Sequence, residues 1–255
     1  VLEWGQFHAY VLYLYENSLL MRIVPVLYFL FLAAPFSCFS QVENTSGTSS
    51  VDSLYREDQF YLGFTYNLLR DMPETVSPSG FSGGFHAGFV RDFPVNEKRD
   101  LAIGVGLGWS VNSYAQTLFI GEETSEETIF MSLEGLDIRY DTNRFTTYSV
   151  EMPLQFRWRT STFSSHKFWR VYTGLQLGYV YQFQSRFEQS GNRVRQTDVP
   201  EFDRFRLGAT FAFGYNTFNF HVYYGLNPFL KKEAQLDGQE IGMNTVRVGL
   251  MFFIL

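Results

Sequence analysis

Residues 147–183 read TYSVEMPLQFRWRTSTFSSHKFWRVYTGLQLGYVYQF. In the first run every second residue is apolar or aromatic: Tyr148, Val150, Met152, Leu154, Phe156 and Trp158. Ser149, Glu151, Pro153, Gln155, Arg157 and Arg159 lie between them. The second run sets Trp169, Val171, Leu175, Leu177, Tyr179, Tyr181 and Phe183 against Arg170, Tyr172, Gly174, Gln176, Gly178 and Gln182. Period-two alternation makes each run a strand with one greasy and one wet face. Strands of soluble sandwiches average about five or six residues. Two runs of more than ten, with aromatics near their ends and a short polar turn between, fit a hairpin that crosses a membrane.

The same alternation recurs along the chain. Phe60, Leu62, Phe64, Tyr66 and Leu68 mark a first strand, and Phe81, Gly83, Phe85, Ala87 and Phe89 a second. Leu101, Ile103, Val105, Leu107, Trp109 and Val111 mark a third, with Gly104, Gly106 and Gly108 on its other face. A phosphate-binding glycine motif needs a strand-to-helix turn. Here the glycines share one face of a strand, where they make room inside a narrow barrel. The opening hairpin supplies strands four and five. Phe205 to Tyr215, Phe218 to Leu226 and Val246 to Ile254 supply the last three, with Asn216-Thr217 as a tight turn. Connections after strands 1, 3, 5 and 7 are long, and those after 2, 4 and 6 are short. The reading is an all-β, eight-stranded antiparallel up-and-down transmembrane β-barrel over residues 58–255, with long loops outside and short turns in the periplasm. Residues 92–100 read as a turn, and 115–144, 188–203 and 227–244 as loops.

Composition agrees. Aromatics make up 19% of the 255 residues, the share expected of a surface that meets lipid headgroups. A mean hydropathy of −0.11 leaves no bundle of transmembrane helices, and a barrel escapes hydropathy scans because alternate residues are polar. The net charge of −6 gives no support for a nucleic-acid partner. The single cysteine, Cys38, excludes an internal disulfide and a thiolate zinc cluster.

Ahead of the barrel, Met21-Arg22 and the apolar run Ile23 to Ala34 read as a secretory signal peptide over residues 21–40, with residues 1–20 as an upstream over-extension. A lipoprotein acylated at Cys38 is the alternative, against which Pro35-Phe36-Ser37 makes a poor lipobox. Residues 41–57 are a Ser/Thr/Gly/Asn-rich lead-in.

An eight-stranded barrel is just wide enough for its side chains to fill it. The inward set is His86, Glu151, Gln155, Arg157, Arg159, Arg170, Gln176, Gln182, Arg206, His221, Tyr223 and Arg247. Buried charge must be paired or wetted, so Glu151, Arg157, Arg159, Arg170, Arg206 and Arg247 form an expected polar network with Glu151 as counter-ion. A small ion or ligand path is the other use of such a lumen. Pro153 removes a ladder hydrogen bond, so a bulge or kink is expected there. Glu122, Glu123, Glu126 and Glu127 make the third loop acidic, a candidate contact for a partner or a solvated outer loop. Gly249, Phe252 and Ile254 have the spacing of a final strand read by barrel-assembly machinery during insertion. Outer-membrane lipid is the other expected partner.

Lipid-modifying or proteolytic barrels need a histidine with a serine or carboxylate within hydrogen-bond reach. His8 falls in the over-extension and His166 in a turn, while His86 and His221 sit on separate strands, so no catalysis is expected. No metal-ligand spacing appears and no cofactor is expected.

The blocks Ser149-Val150-Glu151-Met152-Pro153-Leu154-Gln155-Phe156-Arg157-Trp158-Arg159-Thr160-Ser161-Thr162 and Lys167-Phe168-Trp169-Arg170-Val171-Tyr172-Thr173-Gly174, with Asn143-Arg144-Phe145 before them, resemble the PorT family. Its members are outer-membrane barrels of the Bacteroidota associated with the type IX secretion system and gliding motility. The Val150-Glu151-Met152-Pro153-Leu154 core is shared more widely among porin-like barrels of that lineage. The resemblance covers roughly residues 58–255 and implies a role in protein secretion, with other type IX components as partners, and no catalytic residues. A general structural or small-solute barrel without a secretion role is the alternative.

Overall fold

In the computed structural model, the structure describes residues 58–122, 128–136, 138–160 and 169–254. The expected over-extension, signal peptide and lead-in lie outside these, as do Glu123, Glu126, Glu127 and His166. In chain order the strands are β1 (Gln59–Arg70), β2 (Gly83–Pro94), β3 (Leu101–Ala115), β4 (Leu118–Glu122), β5 (Thr128–Ser132), β6 (Thr142–Arg159) and β7 (Trp169–Gln189). They continue with β8 (Asn192–Gln196), β9 (Phe205–Tyr215), β10 (Phe218–Gly225), β11 (Gln235–Leu236), β12 (Gln239–Glu240) and β13 (Asn244–Ile254).

Eight of them close a ring in the order β1-β2-β3-β6-β7-β9-β10-β13. Each is antiparallel to its neighbours, and β13 returns to β1 from Phe60↔Ile254 to Arg70↔Asn244. Closure pairs both edges of the sheet, so no strand edge is left open to lipid. Outside, the greasy faces form a continuous apolar surface; Leu154, Phe156, Leu175 and Phe213 are all exposed there. Aromatics ring both ends of this band. Trp158, Trp169, Tyr215 and Phe218 stand at the short-turn end, and Tyr148, Tyr179, Tyr181 and Phe205 at the other. From Tyr148 to Trp158 is about 34 Å of strand, or about 24 Å along the axis at a ~45° tilt, which matches the ~25 Å apolar band of a membrane barrel.

The lumen is narrow enough to require the glycines of β3. A Cβ on Gly108 would lie 1.9 Å from the Tyr61 hydroxyl, and one on Gly208 would lie 2.2 Å from the Tyr223 ring. Each glycine is the floor on which an inward tyrosine rests.

Several boundaries differ from the expectations. Strand β2 continues through Asp92 to Pro94 where a turn was expected from Asp92, and Asp92 points inward, fully buried. Strand β7 runs on to Gln189 and folds back as β8, a hairpin inside the expected 188–203 loop. Strands β4 and β5 form a second hairpin within 115–144, while β6 starts at Thr142; β11 and β12 form a third within 227–244.

The bulge lies elsewhere than expected. Pro153 faces Gln176 in register, and its ladder to β3 lapses between Val105↔Leu154 and Gly108↔Glu151 without slipping. The register shift falls between Tyr148 and Ser149, opposite Tyr181. Tyr181 and Gln182 are therefore both exposed, and Phe183 turns inward. Gln182 is not a lumen residue, and Phe183 does not belong to the greasy outer face. The bulged segment is held in place by its surroundings. Trp109 Nε1 donates to the Tyr181 hydroxyl at 2.7 Å, and Arg204 Nη1 lies 3.4 Å from the carbonyls of Val180 and Tyr181.

Candidate functional site

The lumen is filled in three tiers. At the short-turn end Asp92, on β2, receives Arg157 Nη1 on one oxygen and Arg159 Nη1 on the other. Arg157 Nη2 donates to Gln59 Oε1, and its guanidinium lies 3.9 Å from the centre of the Tyr172 ring. Arg159 Nε donates to the Arg99 carbonyl at 3.1 Å. Arg170 is buried opposite Arg159 in register. One carboxylate thus bridges two arginines in a site closed to solvent, the arrangement that makes buried guanidinium tolerable. Asp92 was absent from the expected network, and the counter-ion of Arg157 and Arg159 is Asp92, not Glu151. The Pro94 and Asn96 that follow it disguise the end of a strand as a turn.

The middle tier centres on Glu151. Its Oε1 accepts from Ser110 Oγ at 2.8 Å and from Arg247 Nη1 at 3.1 Å, and its Oε2 lies 3.5 Å from His86 Nδ1. Arg247 stacks 3.7 Å over Tyr223. From Ser110 the chain of bonds passes through Asn112 (3.1 Å), Asn67 (3.3 Å) and Thr65 (2.8 Å), and returns to His86 Nε2 at 3.1 Å. These residues come from β1, β2, β3, β6 and β13, so the ring ties the barrel across its bore. Two small cavities in the lumen flank Glu151, of about 20 Å³ and about 10 Å³, each with room for about one water molecule. A third, of about 380 Å³, is lined by Glu151 and Arg206 together with the apolar residues Met152, Leu177, Phe205 and Leu207. His221 is buried at the edge of the smallest one, and its Nδ1 has no hydrogen-bond partner among the described residues.

Thr65, His86 and Glu151 have the connectivity of a nucleophile, a base and an orienting acid. Thr65 Oγ1 donates to Asn67 Oδ1, so its proton is not directed at His86 Nε2 as a base-activated nucleophile requires.

The upper tier is apolar. Tyr114, Phe145 and Phe183 from the strands meet Val76, Leu118, Ile120, Val199, Phe202, Phe229, Leu230, Ile241 and Met243 from the four long connections. The rings of Phe183 and Phe202 are 4.4 Å apart, and those of Phe145 and Phe229 5.4 Å. Burying each such side chain is worth about 1.5–3 kcal/mol, enough to fold the loops down over the mouth. Arg206 joins this cap to the wall: its Nη1 donates to the Pro228 carbonyl at 2.5 Å and Nη2 to the Asn227 carbonyl, and the guanidinium lies 4.3 Å over Phe229. Arg206 therefore holds loop carbonyls and takes no part in a Glu151 ion pair.

The fold and these tiers agree with the sequence comparison: the model of a family described as an outer membrane protein beta-barrel domain matches residues 39–231. The chain belongs to this family. Its place is the outer membrane, with the long-loop end outside the cell and the short turns in the periplasm. No curated protein matches the chain.

The remaining expected site residues are dispersed. Gly249, Phe252 and Ile254 lie on β13; Phe252 packs on Phe218 at 5.1 Å and Ile254 is exposed to lipid. Glu122 ends β4, where its Oε2 accepts from Gln196 Nε2 at 2.9 Å and so links two loops. The 115–144 segment is thus partly cap: Leu118, Ile120 and Leu133 are buried.

Proposed function

We propose that this protein is a non-enzymatic outer-membrane barrel that assists protein secretion through the type IX system, acting through its loops and outer wall. The observation that carries this reading is the filled lumen. With Asp92, Glu151 and the apolar cap stacked along the bore, no polypeptide passes through it, and any role in export falls to the surfaces. The resemblance of Ser149–Arg159 and Trp169–Gly174 to PorT supports the link to secretion, and it lies on the β6–β7 hairpin that carries Glu151 and the Asp92-bound arginines. The acidic segment around Glu122 is the proposed contact for other type IX components.

The test is a clean deletion strain complemented with the gene read from Met21, followed for cargo bearing a type IX C-terminal signal. Cargo trapped in the periplasm, with other barrels inserted normally, supports the reading. Normal export refutes it and favours a general structural or small-solute barrel.

A further inference from the structure

Above the outer aromatic ring, β6, β7 and β8 continue as a three-stranded projection. Arg144 pairs with Arg186, and Arg186 pairs with Arg195. Directly paired residues of antiparallel strands point to the same side. Phe145, Ser185 and Phe187 beside them are buried, so the three arginines stand on the outward face. Arg193 follows on that face, opposite Glu188. Like charges placed directly across strands destabilise a sheet, so such a row calls for an anion. The described residues supply little. Glu188 accepts from Arg186 Nη2 at 2.7 Å and from Arg193 Nε at 2.5 Å. Arg195 Nη2 donates to the neutral Gln184 Oε1 at 2.9 Å. Among the described residues, no carboxylate lies within ion-pair distance of Arg144 or Arg195.

The height of the row identifies the anion. Tyr148 and Tyr181, 6.4 Å apart, mark the outer ring. Arg144 is four positions further on, about 14 Å of strand and about 10 Å along the axis, at the outer edge of the headgroup layer. The face that carries it is the one that meets lipid lower down. We propose that Arg144, Arg186 and Arg195 form a binding site for the phosphate groups of an outer-leaflet lipid. Guanidinium forks bind phosphate oxygens in pairs, and three forks in register suit a phosphorylated glycolipid headgroup.

The experiment titrates the folded full chain in zwitterionic detergent with lipid A bearing its phosphates, with lipid A stripped of them, with inorganic phosphate and with a polyglutamate peptide, and counts adducts by native mass spectrometry. Phosphorylated lipid A is expected to bind one to one and to weaken as salt rises. Arg144→Gln/Arg186→Gln/Arg195→Gln is expected to bind it at least about tenfold more weakly. The same variant should keep the urea midpoint about unchanged, because relief of like-charge repulsion offsets loss of the exposed Arg186–Glu188 pair. Lys232→Gln, an exposed cation in another long connection, should bind as the parent does. Four results would overturn the proposal: equal binding of stripped lipid A, parent-like binding by the triple variant, an equal loss in Lys232→Gln, or tighter binding of inorganic phosphate or polyglutamate than of lipid A.

Discussion

Replacing Asp92 by asparagine removes one charge from the most enclosed ionic site in the barrel while keeping its shape. Asp92, Arg157 and Arg159 have side chains at 0%, 0% and 1% exposure, so water cannot take over the lost role without opening the wall. A carboxylate about 4 Å from each guanidinium is worth about 4 kcal/mol per pair at an effective dielectric of about 20. The amide retains one acceptor oxygen, Arg157 keeps Gln59 and the Tyr172 ring, and Arg159 keeps the Arg99 carbonyl. The net loss should therefore fall near the ~3–5 kcal/mol seen when one partner of a buried pair is removed. Against a total stability of about 5–15 kcal/mol this is large. The assay is urea unfolding of the barrel in phospholipid vesicles, followed by tryptophan fluorescence and by gel mobility of the folded form. Removing all three charges, as Asp92→Leu with Arg157→Met and Arg159→Met, should recover most of the loss, because well-packed apolar residues often replace a buried ionic cluster at little cost. A value for Asp92→Asn within about 0.5 kcal/mol of the parent would refute the reasoning and show that the arginines are satisfied without the carboxylate.

The cap should be costly to hollow yet not act as the gate. Phe229→Ala is expected to lose about 3–5 kcal/mol, and planar-bilayer recordings should still show no stable large conductance, because the Glu151 tier lies beneath. Gly108→Ala should destabilise by about 1–3 kcal/mol by driving a methyl into Tyr61, and Tyr61→Leu in the same protein should restore part of that in the urea assay. In the projection, the Arg186 guanidinium beside Glu188, and then Arg193, hold its carboxyl below the usual range. A depressed carboxylate contributes order that is present above its ordinary pKa and lost as pH falls through the lowered one, so the amide protection factors of β7–β8, exchange rates taken relative to the unstructured chain at the same pH, should fall below the normal carboxylate range and stay flat above it.

The wall of the barrel was legible because lipid and lumen impose opposite demands on adjacent residues, and β1, β3 and β6 obey them without interruption. What broke the pattern was local. One extra residue at Tyr181 reverses the phase of β7, and nothing in the composition of Tyr181-Gln182-Phe183 announces it. Glu151 was readable as a lumen carboxylate, but its partner Arg247 lies 96 positions away, and pairing at that distance is decided by closure rather than by local pattern. The cap escaped notice for a related reason. Phe202, Phe229, Leu230, Ile241 and Met243 have no period, since they fold against one another from separate loops instead of onto a regular face. The arginine row required knowing that β6, β7 and β8 run side by side, which periodicity does not reveal.

The bonds that cross the bore also set the order in which the barrel can be built. Glu151 waits for Arg247, 96 positions away on the last strand, so this bond closes only with the ring. Asp92, by contrast, meets Arg157 and Arg159 within β2, β3 and β6, before the last strand is in place. Part of the interior's free energy is therefore gained early, in the first half of the sheet, and the Glu151–Arg247 part late, at the seam. The last step should be governed by how quickly the two ends of the sheet are brought edge to edge.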